Sequence, residues 1–287
     1  MLLPPRCRPF VKARSGFSLI ELSVVVAILG VVATLGLEVA STFVKRNAVN
    51  DTRARLQTVD QAIADFFKVY GRLPCPAVIN AIAPSAATYG LEDCSLLIAG
   101  TTIGGGVRGG AVPYRTLNLP MSASLDGFNN RIWYHVTANL TAAGGSSTVA
   151  NRFASIPPLL ATQQGIGGIE VRTGVQSILC TAGNCQKIAD PAAATPSGAA
   201  YILISAGPDG RGAFNIRGLN KASCASASGS DARVDTQNCV FGSNAVRLNM
   251  SITTIPYNAF YDNRFNPGSN LASYFDDIVV WRTKNKL

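Results

Sequence analysis

The chain has 287 residues and a single histidine, His135, and it lacks the residue groupings on which most enzymes rely. There is no Gly-x-Ser-x-Gly elbow, no His-Glu-x-x-His pair and no Gly-x-x-x-x-Gly-Lys phosphate loop. A Ser-His-Asp triad would have to use His135. That residue sits inside the apolar run Ile132-Trp133-Tyr134-His135-Val136, where packing or a place on a strand surface is the expected role. Gly104-Gly105-Gly106-Val107-Arg108-Gly109 formally fits Gly-x-Gly-x-x-Gly. It precedes Ala111-Val112-Pro113, however, where proline opposes the helix that a dinucleotide site must open. A flexible glycine loop is expected there, and the chain is expected not to be an enzyme.

A nucleic-acid signature is also missing. The formal net charge is +9, but no Lys/Arg block with interleaved aromatics stands out. Removing residues 1–16 would take away four cations (Arg6, Arg8, Lys12, Arg14) and no acid, leaving +5. Such an excess over so long a chain bears on solubility, so no nucleic-acid partner is expected. No internal repeat is visible.

Acidic residues are absent before Glu21, while the four cations just named precede an apolar run. Residues 17–37 hold one charge, Glu21, and no proline. At about 1.5 Å rise per residue, a helix of that length covers roughly the 30 Å hydrocarbon core of a bilayer. Basic residues before the run predict a cytoplasmic N-terminus and a body exported to the other side. A carboxylate within an apolar helix needs a reason. One is its place near the helix start, where the dipole favours an anion. The other is an amine from a neighbouring subunit, available if the chain is cut between Gly16 and Phe17. A secretory signal would need an A-x-A-like site after the run, but Glu38-Val39-Ala40 puts a charge there. A lipoprotein would need a cysteine after the run, and Cys7 precedes it. An uncleaved signal anchor stays open as an alternative.

The segment Gly16-Phe17-Ser18-Leu19-Ile20-Glu21, with the apolar residues after it, resembles the type III signal of type IV pilins and type II secretion pseudopilins. The resemblance implies a leader (residues 1–16) removed by prepilin peptidase after Gly16, N-methylation of Phe17, and Glu21 as the fifth mature residue. It also implies partners: other pilins or pseudopilins through the N-terminal helix, the peptidase/methyltransferase, and an inner-membrane assembly platform. In assembly Glu21 would meet the amine of an adjacent Phe17. Many members carry a proline after the apolar run. Here Glu38 stands there, with Gly36 as the flexible residue nearby.

After the membrane segment the helical pattern continues over residues 38–72. Val49, Leu56, Val59, Ile63, Phe66, Phe67 and Tyr70 fall on one face, and Arg53, Arg55, Gln57, Asp60, Gln61 and Asp65 on the others. Gly71 supplies a C-cap and Pro74 forbids resumption. Residues 73–287 form the exported body. Short β-branched or aromatic runs at 131–137, 168–172, 201–205, 246–252 and 277–282 predict strands. Stretches 141–148, 189–198 and 222–231 predict surface loops. The fold class expected is α+β: a long helix, membrane-spanning in its first half and amphipathic in its second, packed on an antiparallel sheet with long disulfide-tied loops.

Without the leader six cysteines remain: Cys75, Cys94, Cys180, Cys185, Cys224 and Cys239. An even number in an exported chain points to disulfides. Fifteen pairings are possible, and the nearest-neighbour set 75–94, 180–185, 224–239 is favoured. Zinc is disfavoured because no second Cys/His pair lies near Cys180 and Cys185.

Three pieces of the body also resemble pseudopilins. Gly71-Arg72-Leu73-Pro74 is similar to the turn ending the family's long helix. Leu125-Asp126-Gly127-Phe128-Asn129-Asn130-Arg131 is similar to a turn that enters a strand, with Asn130-Arg131 in place of Asn-Pro. Ser205-Ala206-Gly207-Pro208-Asp209-Gly210 and Phe275-Asp276-Asp277-Ile278-Val279-Val280-Trp281 match the halves of a C-terminal pattern that lie close together in relatives. Here an interval of about 65 residues separates them, which looks like an insertion at about 211–274. In the major pseudopilin this loop binds calcium. Asp209, Asp276 and Asp277 are the corresponding candidates, although a simple hairpin turn and a solvated strand entry are the favoured reading. No cofactor is required. The resemblance implies a minor subunit, and retention of Glu21 disfavours the tip position. A pilus-borne adhesin or receptor-binding subunit is the alternative.

Overall fold

Val49, Leu56, Val59, Ile63 and Phe66 recur at helical spacing and are buried along one side of α1 (Leu19–Tyr70), a helix of 52 residues. Each large side chain so covered contributes roughly 1.5–3 kcal/mol relative to exposure. Gly71 ends the helix. Its φ of +62° is costly for any residue with a Cβ, and its N–H meets the Phe67 carbonyl at 2.8 Å. The computed structural model describes residues 18–79, 83–95, 97–98, 106–141, 167–174, 185–193, 195, 197–221, 238, 259–263, 275–283 and 286–287. The chain divides into two compact units, Met1–Arg46 and Asn47–Leu287.

The second unit is built on a five-stranded antiparallel sheet. Its order is β1 (Leu97–Ile98), β2 (Val107–Ala111), β3 (Trp133–Thr137), β6 (Ala199–Ser205) and β8 (Ile278–Thr283). Every residue of β3 and β6 is buried. Their side chains alternate between two cores, as the two-residue period of a strand requires. Tyr134, Val136, Tyr201 and Leu203 join the cluster that holds the helix residues Leu56, Val59 and Ile63. Trp133, Ile202 and Ile204 join the other cluster, with Ile169, Val171 and Phe260. Double burial explains why residues 201–205 read as a continuous apolar run rather than an alternating one.

The second cluster belongs to a three-stranded sheet of order β5 (Cys185–Ala189), β4 (Glu170–Gly174) and β7 (Ala259–Tyr261). The helix, the five-stranded sheet and this smaller sheet form three layers within the second unit. The expected antiparallel sheet is thus the five-stranded one, and the smaller sheet adds a parallel pair, β4 with β7. A parallel pair needs a long connection, and the interval from β4 to β7 provides one. Strand β7 and the buried Ala213 and Phe214 lie within the expected insertion at 211–274, so that interval contributes to the core. The expected strand at 246–252 lies outside the described residues, as do 142–148 and 222–231. Of the surface loop expected at 189–198, Ala189 is instead the buried last residue of β5, and 190–193, 195 and 197–198 lie outside strands and helices.

Two further expectations are corrected. The glycine run was expected to be a flexible loop, yet Val107–Ala111 is a fully buried strand; Gly104 and Gly105 lie outside the described residues. Glycine is required here for close approach. A Cβ on Gly110 would sit 2.2 Å from the Ala77 carbonyl oxygen, and Ala77 and Ala111 exchange two backbone hydrogen bonds of 2.8 Å. Asp60, placed with the polar faces of the helix, is 8% exposed. It accepts from Arg282 Nε at 2.8 Å and from the Tyr201 hydroxyl at 2.6 Å. Burial first, and then this carboxylate, push the Tyr201 hydroxyl far above its ordinary value.

Asp60 thereby ties the helix to β6 and β8 at once. Asp60→Ala would leave the Arg282 guanidinium and the Tyr201 hydroxyl without their acceptor. A loss of about 2–4 kcal/mol is expected in denaturant unfolding, with an unchanged slope. Asp60→Asn, which keeps one acceptor, is expected to lose less.

Candidate functional site

In the first unit every large apolar side chain from Leu19 to Val31 is at least 45% exposed. Such a surface costs about 25 cal/mol per Å² in water, so a helix of this kind has to be covered by lipid or by other protein. Glu21 lies in the first turn of α1 and is exposed, at the end where the helix dipole favours an anion. The Ser23 hydroxyl donates to the Ile20 carbonyl at 2.8 Å and so satisfies itself within the helix. Gly16 and Phe17 lie outside the described residues. Among the described residues no helix is long and apolar enough to cross a membrane. The described side chains of this face stop at Val31 and resume at Ser41, so the expected span at 17–37 is only partly in view.

In the second unit the segment after the helix is held twice. Cys75 and Cys94 form a disulfide, with Cα atoms 5.1 Å apart, as the nearest-neighbour pairing expects. Arg72 forms a fork to Glu92 through bonds of 2.9 and 2.8 Å, and the Cys75 N–H donates to the same carboxylate at 2.9 Å. Burial pushes the Glu92 carboxyl up, but Arg72 and the Cys75 N–H outweigh it and hold the group below its ordinary value. The Arg72 guanidinium also lies 4.9 Å from the Phe66 ring centroid. Cys185 lies on β5, while its side chain and Cys180, Cys224 and Cys239 lie outside the described residues.

The turn at 125–131 is organised by Asp126, which is fully buried. Its carboxylate accepts from the Phe128 and Asn130 N–H groups at 2.9 and 2.8 Å and from the Ser205 hydroxyl at 2.8 Å. Burial raises its pKa, against the pull of these hydrogen bonds. Gly127 donates its N–H to the Thr52 hydroxyl at 2.8 Å, and a Cβ there would meet the Ala48 carbonyl at 2.1 Å. The turn is therefore pressed against the helix and bonded to β6. Arg131, where the resemblance places proline, is buried. It donates to the Ile79 carbonyl at 2.7 Å and stacks 4.8 Å from the Tyr89 ring.

The two halves of the C-terminal pattern meet. Ser205 pairs with Ile278, the Asp209 N–H donates to Asp276 Oδ2 at 3.0 Å, and a Cβ on Gly207 would lie 2.1 Å from the Asp276 carbonyl oxygen. Asp276 and Asp277 are buried, so the strand entry is not solvated as expected. One carboxylate oxygen of each calcium candidate faces a protein donor. Arg211 lies 3.2 Å from Asp209 Oδ2, and Asn238 Nδ2 donates to Asp277 Oδ2 at 3.0 Å. Among the described residues, the one group of three candidate ligand side chains with mutually close donor atoms is Cys75, Glu92 and Cys94. Its two sulfurs are bonded to each other. Within the described residues Asp209, Asp276 and Asp277 do not form such a group of mutually close donor atoms, whereas a calcium ion takes six to eight oxygen ligands.

His135 lies on β3 with its ring 4.8 Å from that of Phe260, inside the core. Sequence reasoning did not single out Glu92, Asn238 or the buried roles of Asp60, Asp126 and Arg131. A charged residue inside an apolar run, as Arg131 is beside Ile132-Trp133-Tyr134, was the one available signal.

Stability should depend on acid through Glu92. The stabilisation from its ionised form is fully present above the unfolded carboxyl value near 4.5 and is lost as pH falls through the lower folded value. Glu92→Gln is expected to flatten that acid limb and to cost about 1–2 kcal/mol at pH 7 in denaturant titrations. Reducing the Cys75–Cys94 bridge should cost about 3 kcal/mol in the same assay, since its two cysteines are 19 positions apart.

Residues 11–37 match the family described as Prokaryotic N-terminal methylation motif, the signature of type IV pilins and pseudopilins. The match covers about a tenth of the chain and contains Gly16, Phe17 and Glu21. A search of curated proteins and a search of solved structures each found no match for the chain.

Proposed function

We propose that this chain is a minor pilin or pseudopilin, a structural subunit of a type IV pilus or a type II secretion pseudopilus. The observation that carries the proposal is the coincidence of the methylation motif with the uncovered apolar helix face from Leu19 to Val31. Prepilin peptidase cuts between Gly16 and Phe17, and Phe17 is then N-methylated. The helix first anchors the subunit in the inner membrane, with the body in the periplasm. It then transfers to a bundle of like helices, where one apolar environment replaces another.

Glu21 sets the register in that bundle. The amine of an adjacent Phe17 neutralises it, and in a dry setting either charge alone is expensive. The Glu21 carboxylate is exposed on the described helix and therefore open to a second chain. The body serves as a rigid block rather than as a catalyst: a disulfide, a forked ion pair and buried polar bridges hold it.

The intact mass of protein purified from membranes that contain a prepilin peptidase tests this reading. A chain beginning at Phe17 with one added methyl group is expected; full-length protein would overturn it. Glu21→Ala is expected to lower co-purification with partner pilins by tenfold or more, roughly the effect of stranding one charge in an apolar bundle. Equal assembly of the variant would remove the role assigned to that residue.

A further inference from the structure

The apolar face of α1 does not end at Val31: Phe43 and Val44 are each 65% exposed, and the next two residues, Lys45 and Arg46, are exposed as well. Neither cation has an ion-pair partner among the described residues, and no acidic residue stands between Ser41 and Asn50. The flanking acids are Glu38, seven positions before Lys45, and Asp51, which Arg55 holds at 2.6 Å. An aromatic and a β-branched side chain are thus followed by two cations with no ion-pair partner among the described residues, an order of polarities that suits the boundary between an apolar layer and an anionic one.

Dimensions agree. If residues 17–37 fill the hydrocarbon core, Lys45 lies eight residues beyond its edge, about 12 Å along a helix. A headgroup layer is roughly 5–8 Å deep on each side. Long basic side chains reach back along the helix by several ångströms, which brings both cations to the level of lipid phosphates.

We infer that Phe43, Val44, Lys45 and Arg46 form an interfacial belt that seats on the headgroups of anionic phospholipids on the body side of the membrane. The inference rests on the membrane-anchored reading above and adds to it a lipid class and a position. Basic residues on both sides of the apolar run, the four leader cations on one and Lys45 and Arg46 on the other, then have separate roles. The leader charges orient insertion and leave with the leader. The belt stays with the mature chain and holds its depth until the helix is drawn into the filament.

The test uses the full chain inserted into vesicles of phosphatidylcholine containing about one-third phosphatidylglycerol. Three photo-crosslinking probes are compared: one on the phosphatidylglycerol headgroup, one on the phosphatidylcholine headgroup and one deep in the acyl chain. The expected result is about five-fold or greater preference for the phosphatidylglycerol probe at residues 43–46, weakened by salt and abolished in Lys45→Gln/Arg46→Gln. Acyl-chain adducts at 19–31 should be unchanged in that variant. Equal labelling by both headgroup probes overturns the inference. So does labelling of 43–46 by a second copy of the chain instead of lipid. Acyl adducts at 19–31 with none at 43–46 overturn the belt and leave the anchor standing. Absence of acyl adducts anywhere in the helix overturns the anchored reading, and the belt with it.

Discussion

Strands β3 and β6 are buried on both faces, and the rest of the body takes its place from that constraint. A strand with two dry faces needs an apolar partner on each. On one side the partner is α1, through Leu56, Val59 and Ile63; on the other it is the small sheet, through Ile169, Val171 and Phe260. Residues of opposite parity on one strand thus join layers far apart in sequence. Moving either strand by one residue would exchange its two faces and mismatch both cores.

Polar groups then lock a register that packing alone leaves degenerate. Asp126 binds the turn before β3 to Ser205 at the end of β6, and Thr52 binds the same turn to the helix. Asp60 joins the helix to Tyr201 and Arg282 on neighbouring strands. Asn238 performs the same task for β7: its side-chain amide exchanges bonds of 2.7 Å with the Tyr261 backbone, as a neighbouring strand would. Buried polar groups of this kind are costly unless satisfied, so each one selects a single arrangement.

The first unit has the opposite character. Its helix presents exposed apolar side chains from Leu19 to Val31, and the Glu21 side chain is exposed as well. Nothing among the described residues of this unit completes this surface. Its physical requirement is met from outside, first by lipid and then by other helices in the proposed cycle. One helix serves both units because α-helical hydrogen bonds are satisfied internally in water and in hydrocarbon alike.

What the sequence determined by itself was local. The spacing of Val49, Leu56, Val59, Ile63 and Phe66, with Gly71 and Pro74, set the amphipathic helix and its end. The order of basic residues, Gly16-Phe17 and Glu21 set the methylation motif, and largely apolar runs set β3 and β6. The short span between Cys75 and Cys94 favoured their pairing among fifteen arrangements, and the structure decided it. Tertiary structure decided whatever depends on distant partners. Gly110 stands in a strand because the Ala77 backbone approaches too closely there for a side chain, not because glycine favours strands. Asp60 is buried because Arg282, more than two hundred residues later, comes to it. The parallel strand β7 has only three residues, and its place comes from β4 rather than from any pattern of its own. Local periodicity records which face of an element is dry. It does not record what dries it, because that partner arrives through loop closure whose cost grows only slowly with length.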